Sequence, residues 1–95
     1  TALIACGEGV ALPVLHELRH LGVRIPEDLS LITSELSGIS GWMTPELTTI
    51  DQELDQLAAA TVAELVKLIR HPDTPKGVHW LHTHLIVRNS VRNPA

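Results

Sequence analysis

Apolar residues recur along this chain in three distinct patterns. Residues 2–6, Ala-Leu-Ile-Ala-Cys, form an unbroken apolar run. That pattern predicts a strand covered on both faces, as in a parallel sheet. From about Gly9 to Leu21 the period changes. Ala11, Val14, Leu15, Leu18 and Leu21 fall on one stripe of a helix, and Gly22 is its natural stop. Pro13 sits in or just past the first turn, and would cost a backbone bond if the helix began much earlier. A loop at Pro26-Glu27-Asp28 leads to a second short buried strand over residues 29–33. The Ser- and Gly-rich stretch 33–46 has little periodicity and reads as a loop with room for one helical turn. Residues 47–50, Leu-Thr-Thr-Ile, make a third strand rich in β-branched side chains.

Asp51 is positioned to cap a second helix running to about Arg70. Leu54, Leu57, Ala58, Thr61, Leu65, Leu68 and Ile69 line one of its faces, which predicts a core helix. Glu53 and Asp55 near its start and Lys67 and Arg70 near its end suit the helix dipole. His71-Pro72-Asp73-Thr74-Pro75 stops it. Residues 79–88 hold the last strand, with His82 and His84 on one face and Leu85 and Val87 on the other; residues 92–95 are expected to fray. Strands alternating with helices in the order β-α-β, loop, β-α, β predict an α/β fold with a mostly parallel sheet.

The length of 95 residues suits one small domain. The chain opens at Thr1 and enters a strand almost at once, which is expected of a piece of a longer protein. Trp42 and Trp80 are its only aromatics, so the core must be aliphatic. The net charge of -4 gives it no electrostatic footprint for a phosphate backbone. Cys6 stands alone, so no internal disulfide forms, and no apolar run approaches the ~20 residues of a membrane span.

Local chemistry is sparse. His79, His82 and His84 are close in sequence, but no Cys pair or carboxylate accompanies them, so solvated or interface histidines outweigh a zinc site. Cys6 ends an apolar strand, where a thiol behaves as a small hydrophobe, and no motif places a base beside it. Gly7-Glu8-Gly9 lacks the third Gly and the Lys-Ser/Thr of a phosphate loop and reads as a tight turn opening a helix. Trp42 is either a lid or cleft-wall aromatic or a plug beneath its loop; Trp80 reads as packing.

Two phrases carry more. Gly22-Val23-Arg24-Ile25-Pro26-Glu27-Asp28-Leu29-Ser30-Leu31-Ile32 and Thr44-Pro45-Glu46-Leu47-Thr48-Thr49-Ile50 stand at a fixed separation, followed by a Leu-rich helix and a terminal strand ending Val87-Arg88-Asn89-Ser90. In these the chain resembles, over nearly its whole length, the C-terminal part of the effector-binding domain of LacI/GalR-type bacterial transcriptional regulators. The resemblance implies a type I periplasmic-binding-protein-like fold of two α/β subdomains joined by three crossovers, with a small molecule in the cleft. Residues 1–33 and about 72–95 would belong to the C-terminal subdomain, and about 34–71 would cross into the N-terminal one. The helix-turn-helix domain is absent from this segment.

The family pattern is altered where ligand contacts fall. Asn-Asp after the first strand is replaced by Gly7-Glu8, and Gly-Phe-Asp-Asp after the second by Thr33-Ser34-Glu35-Leu36. The resemblance makes Glu8, Ser34, Glu35 and Trp42 the candidate effector contacts, with a sugar or related metabolite as the effector class. It places a homodimer contact on the first helix, at Val10, Val14, Glu17 and Leu21. It implies a cytoplasmic protein with no cofactor, no metal and no catalytic residues, reaching operator DNA only through the missing N-terminal domain. Effector and operator affinity would then be coupled by linkage. The alternative is a solute-binding protein of a sugar transporter with the same fold; an enzyme of similar fold ranks third.

Overall fold

The computed structural model describes residues 1–35 and 38–94. Its elements are β1 (Ala2–Ala5), α1 (Glu8–His20), β2 (Ser30–Glu35), a 3-10 turn (Ile39–Trp42), β3 (Thr48–Asp51), α2 (Leu54–Arg70) and β4 (His84–Ile86). The expected order is therefore present, including the single helical turn in the middle loop.

The four strands make one sheet in the order β1-β2-β3-β4. β1 runs parallel to β2 with Ala5 beside Thr33, and β2 runs parallel to β3 with Glu35 beside Asp51. Only β4 is antiparallel, with His84 beside Asp51. The sheet is thus mostly parallel, and β4 reverses against the edge that β3 would otherwise expose.

α1 covers one sheet face. Ala11 and Leu15 join Ala5, Ile25, Leu31 and Leu47 in a buried cluster, with Val14, Leu18, Leu29 and Met43 packed against it. Strand alternation puts Leu31, Thr33, Glu35, Thr49 and Asp51 on this face. Ile4, Ile32, Ser34 and Ile50 point to the other face, where Ile4 is 63% exposed. The expectation that residues 2–6 are covered on both faces is therefore corrected. β1 is an edge strand with one face covered, and Cys6, just past it, is exposed rather than buried.

Details at the helix ends also differ. α1 begins at Glu8 and carries Pro13 in its second turn, where the missing N–H removes one rung. It ends as expected: Gly22 has φ +73°, and the amides of Gly22 and Val23 bond back to the carbonyls of Arg19 and Leu18. Leu21 points outward. Asp51 is not the cap of α2. It ends β3, and its Oδ1 accepts the Glu53 amide at 2.9 Å, while Glu53 takes the cap position with φ 52°. A short polar side chain after a strand can serve its own local turn instead of the helix two residues on.

The largest departure is α2. Its apolar stripe is as regular as expected, yet none of its residues is buried. Leu57, Val62, Leu65 and Ile69 are exposed. The molecule measures 58 × 26 × 17 Å with a radius of gyration of 17.8 Å. A compact domain of this length would have about 12 Å. α2 therefore stands apart from the sheet that α1 covers.

The return segment ties the sheet together. Ser90 is fully buried; its hydroxyl donates to the Leu31 carbonyl and accepts the Thr48 amide, and its own carbonyl accepts the Leu31 amide. The Arg92 amide reaches the Ser30 hydroxyl, so the tail is held here rather than frayed. Ala95 lies outside the described residues.

Candidate functional site

Parallel strands end on the same side, and in open α/β sheets the crevice beyond those carboxyl ends is where ligands bind. Here that edge carries a concentration of carboxylates. Glu8 follows β1, Glu35 ends β2 and Asp51 ends β3.

Glu8 opens α1 after Gly7, whose φ of +94° makes the tight turn off β1. A carboxylate in the first turn of a helix faces the positive end of the dipole. Its exposure is only 4%, and its Oε1 accepts the Ser40 hydroxyl at 3.2 Å. The 3-10 turn is thereby fastened to the start of α1.

Glu35 is held differently. Arg88 donates from Nη2 to Glu35 Oε1 at 2.8 Å, and from Nη1 to the Leu47 carbonyl at 2.8 Å and to Thr49 Oγ1 at 3.2 Å. The Arg88 amide also donates to Thr48 Oγ1 at 3.0 Å. Gly41 passes beside this guanidinium; a Cβ there would stand 3.5 Å from it. Arg88 and Glu35 side chains are 17% and 11% exposed, so the pair is well shielded from screening by solvent.

Beyond Glu35 lies a cavity of about 300 Å³ lined by Glu35, Gly38, Asp51, Glu53, Leu54 and Asp55. Of its lining residues, Glu53 places Oε1 2.9 Å from His84 Nε2. The arrangement offers several oxygen acceptors around a recess bounded by a helix start. Hydroxyl-rich ligands are recognised by such convergent acceptors.

Of the four sequence-predicted contacts, Glu8 and Glu35 both stand on the carboxyl edge. Glu8 is hydrogen-bonded to Ser40 of the 39–42 turn, and Glu35 to Arg88, whose guanidinium lies near Gly41 of that turn. Ser34 is half-buried on the opposite sheet face from Glu35, because adjacent strand residues alternate. Trp42 ends the turn and is 86% exposed, so it is no plug under its loop. Leu36 lies outside the described residues. Sequence reasoning missed Arg88, Ser40, Asp51 and Glu53. The signal for Arg88 was a cation in an otherwise neutral strand end; its partners lie 39 to 53 residues away in sequence, which no local pattern reports.

Val10, Glu17 and Leu21 are exposed on α1, and Val14 is half-buried beside the core cluster. At spacings of four, three and four they share one stripe of the helix. Among the described residues no group of three or more His, Cys, Asp or Glu side chains is arranged to hold a metal ion. His82 and His84 do not pair as strand neighbours, since only His84 lies in β4; His84 instead contacts Glu53, and His79 lies 3.6 Å from Glu64. Trp80, expected as packing, is 89% exposed and borders a groove along α2. No helix among the described residues is long and apolar enough to cross a membrane.

Comparison with known proteins identifies the fold and its family. The periplasmic binding protein-like domain matches residues 1–91. The HTH-type transcriptional repressor PurR of Pasteurella multocida is 32% identical over 93 residues, which is 98% of this chain and 28% of that protein. A LacI family transcriptional regulator from Enterococcus faecalis, solved with bound ribose, superposes with a TM-score of 0.89 at 31% identity, over 96% of this chain and 34% of its own. One from Lactobacillus casei, solved with bound sucrose, gives 0.78 at 26% identity, over 95% and 33%. The chain thus spans under a third of the length of the curated relatives it matches.

Proposed function

Because this chain belongs to the periplasmic binding protein-like domain family, with LacI-type transcriptional regulators as its relatives, we propose that it is the effector-binding and dimerisation part of such a regulator. Its ligand is a sugar or related hydroxylated metabolite, bound at the carboxyl edge of the parallel strands. Glu8 and Glu35 are hydrogen-bond acceptors for ligand hydroxyls, and Trp42 is a wall or lid on the same turn; Ser34, on the other sheet face, contributes from the β2 end. The observation that carries this reading is the placement of Glu8 just beyond β1 and Glu35 at the end of the adjacent parallel β2, Glu8 held by Ser40 of the 39–42 turn and Glu35 by Arg88.

The bipartite layout supports two lobes. Residues 1–33 and about 72–95 form the lobe built on β1 and β2, and about 34–71 reach into a second lobe, of which α2 is one layer. The exposed apolar face of α2 is what such a division requires. β3 and β4, antiparallel neighbours, are the outward and return passages. Val10, Val14, Glu17 and Leu21 supply the homodimer stripe. The protein acts in the cytoplasm on operator DNA, through a separate DNA-binding domain, and has no catalytic role. A ligand that closes the lobes changes the spacing of the DNA-binding heads, which couples the two affinities.

The test is fluorescence anisotropy with the full-length protein and a duplex it selects from a random pool. D-ribose, sucrose and cellobiose are added in turn. The proposal expects at least one sugar to change operator affinity about fivefold or more, within the usual range of allosteric coupling. No change with any of them would overturn the sugar reading.

A further inference from the structure

Arg88 has more partners than a strut requires. Its guanidinium donates to three acceptors on two strands, Glu35 on β2 and Leu47 and Thr49 at β3, while its own amide is held by Thr48. Gly41 lies near the guanidinium, where a Cβ would stand in ordinary contact at 3.5 Å. The group is fixed at both ends before it meets Glu35.

Glu35, by contrast, is the last residue of β2, with a long side chain and a cavity in front of it. A free glutamate there would sample many rotamers and pay the ordering entropy each time a ligand bound. A charge-assisted bond to one carboxylate oxygen removes most of that freedom. It also balances the charge of Glu35, so the carboxylate can accept hydroxyl donors without requiring a cation from the ligand.

We propose that Arg88 is the positioning residue of the effector site: it holds Glu35 in the orientation that receives a ligand hydroxyl, acting through Glu35 and not by touching the ligand. This rests on the reading of Glu35 as an effector contact. Lysine would replace it only in part, because a point-charge ammonium lacks the rigid fork that reaches Glu35, the Leu47 carbonyl and Thr49 together.

The experiment uses the full-length protein as wild type, Arg88→Met, Arg88→Lys, Glu35→Gln and the Arg88→Met/Glu35→Gln double variant. Crystal structures of the wild type and both Arg88 variants report the position of the Glu35 carboxylate. Calorimetric titrations with D-ribose, sucrose and cellobiose report affinity. In Arg88→Met the carboxylate should leave its wild-type position while β2 and β3 superpose unchanged, and affinity for the sugar bound by wild type should fall about tenfold or more, the usual worth of a hydrogen bond to a charged group. In the Glu35→Gln background the same substitution should cost much less. Arg88→Lys should show an intermediate displacement and an intermediate loss, and decides the matter where Arg88→Met fails to fold. Glu35 unmoved in both Arg88 variants would overturn the proposal. So would an equal loss with and without the Glu35 carboxylate, since Arg88 would then be a strut. Wild type binding none of the three sugars would instead overturn the sugar reading, while the Glu35 position would still decide the role of Arg88.

Discussion

Ser40 and Glu8 are 32 residues apart in the chain and meet side chain to side chain at 3.2 Å, both buried. This contact fixes the 3-10 turn over the start of α1. Its consequence is that Glu8 serves folding as well as any ligand. Truncating it to Ala would leave the Ser40 hydroxyl buried without this acceptor, at about 1–3 kcal/mol. Glu8→Gln keeps an acceptor oxygen for Ser40 and removes the charge. The full-length Glu8→Gln variant should lose less than about 1 kcal/mol in urea unfolding, while Glu8→Ala should lose clearly more. Equal stability of the two would show that the Ser40 contact contributes nothing.

Ser90 is the second buried polar link. Its hydroxyl joins the Leu31 carbonyl on β2 to the Thr48 amide on β3, at the level where Ile32 and Thr48 are register partners. Ser90→Ala would strand a buried amide and should destabilise the full-length protein by about 1–3 kcal/mol. Urea denaturation checks this, and a loss below about 0.5 kcal/mol would contradict it.

Asp28 and Arg24 form a strongly perturbed surface pair. Hydrogen bonds from the Arg24 side chain and amide pull the Asp28 carboxyl down to about 2. A carboxyl depressed on folding contributes stability that is present above its unfolded pKa of about 3.9 and lost as pH falls through the folded value. Thermal melts of wild type should therefore lose ground to Asp28→Asn between about pH 4 and pH 2. The group is solvent-exposed, so the difference should shrink in high salt. Parallel pH profiles for the two proteins would exclude a role for this pair.

The apolar stripe of α2 and the open sheet face bearing Ile4, Ile32 and Ile50 demand covering. The 95-residue chain expressed alone should associate or lack a cooperative melt. Light scattering after size exclusion measures this directly, and Leu65→Glu with Ile69→Glu should reduce the association. A monomeric chain with a sharp two-state melt would contradict the two-lobe layout.

Much of this architecture was legible because it is written in local spacing. The Ala11–Leu15–Leu18 stripe, the Gly22 stop and the β-branched run at Thr48–Ile50 each report their own element. What failed was anything decided by a distant partner. The stripe of α2 is the same whether it faces this chain or another segment, so periodicity predicted a core helix where none of its residues is buried. Asp51 carries the composition of a cap but serves the strand end, because the choice depends on where Glu53 turns. In the site, Glu8 and Glu35 were marked by their positions after two strands. Arg88 was not, since the carboxylate it bonds lies 53 residues away in the chain. For Trp42 the sequence allows wall or plug, and its exposure of 86% excludes the plug.

If ligand binds at the carboxyl edge of the parallel strands, Glu8 and Glu35 both contribute to its affinity. Calorimetric titration of the full-length protein with D-ribose, sucrose and cellobiose, repeated for Glu8→Gln and Glu35→Gln, tests it most directly. Each carboxylate accepts hydrogen bonds that a neutral amide accepts less strongly. Both variants should fold as wild type and bind the recognised sugar about tenfold or more weakly. Wild-type affinity retained in both variants would contradict it.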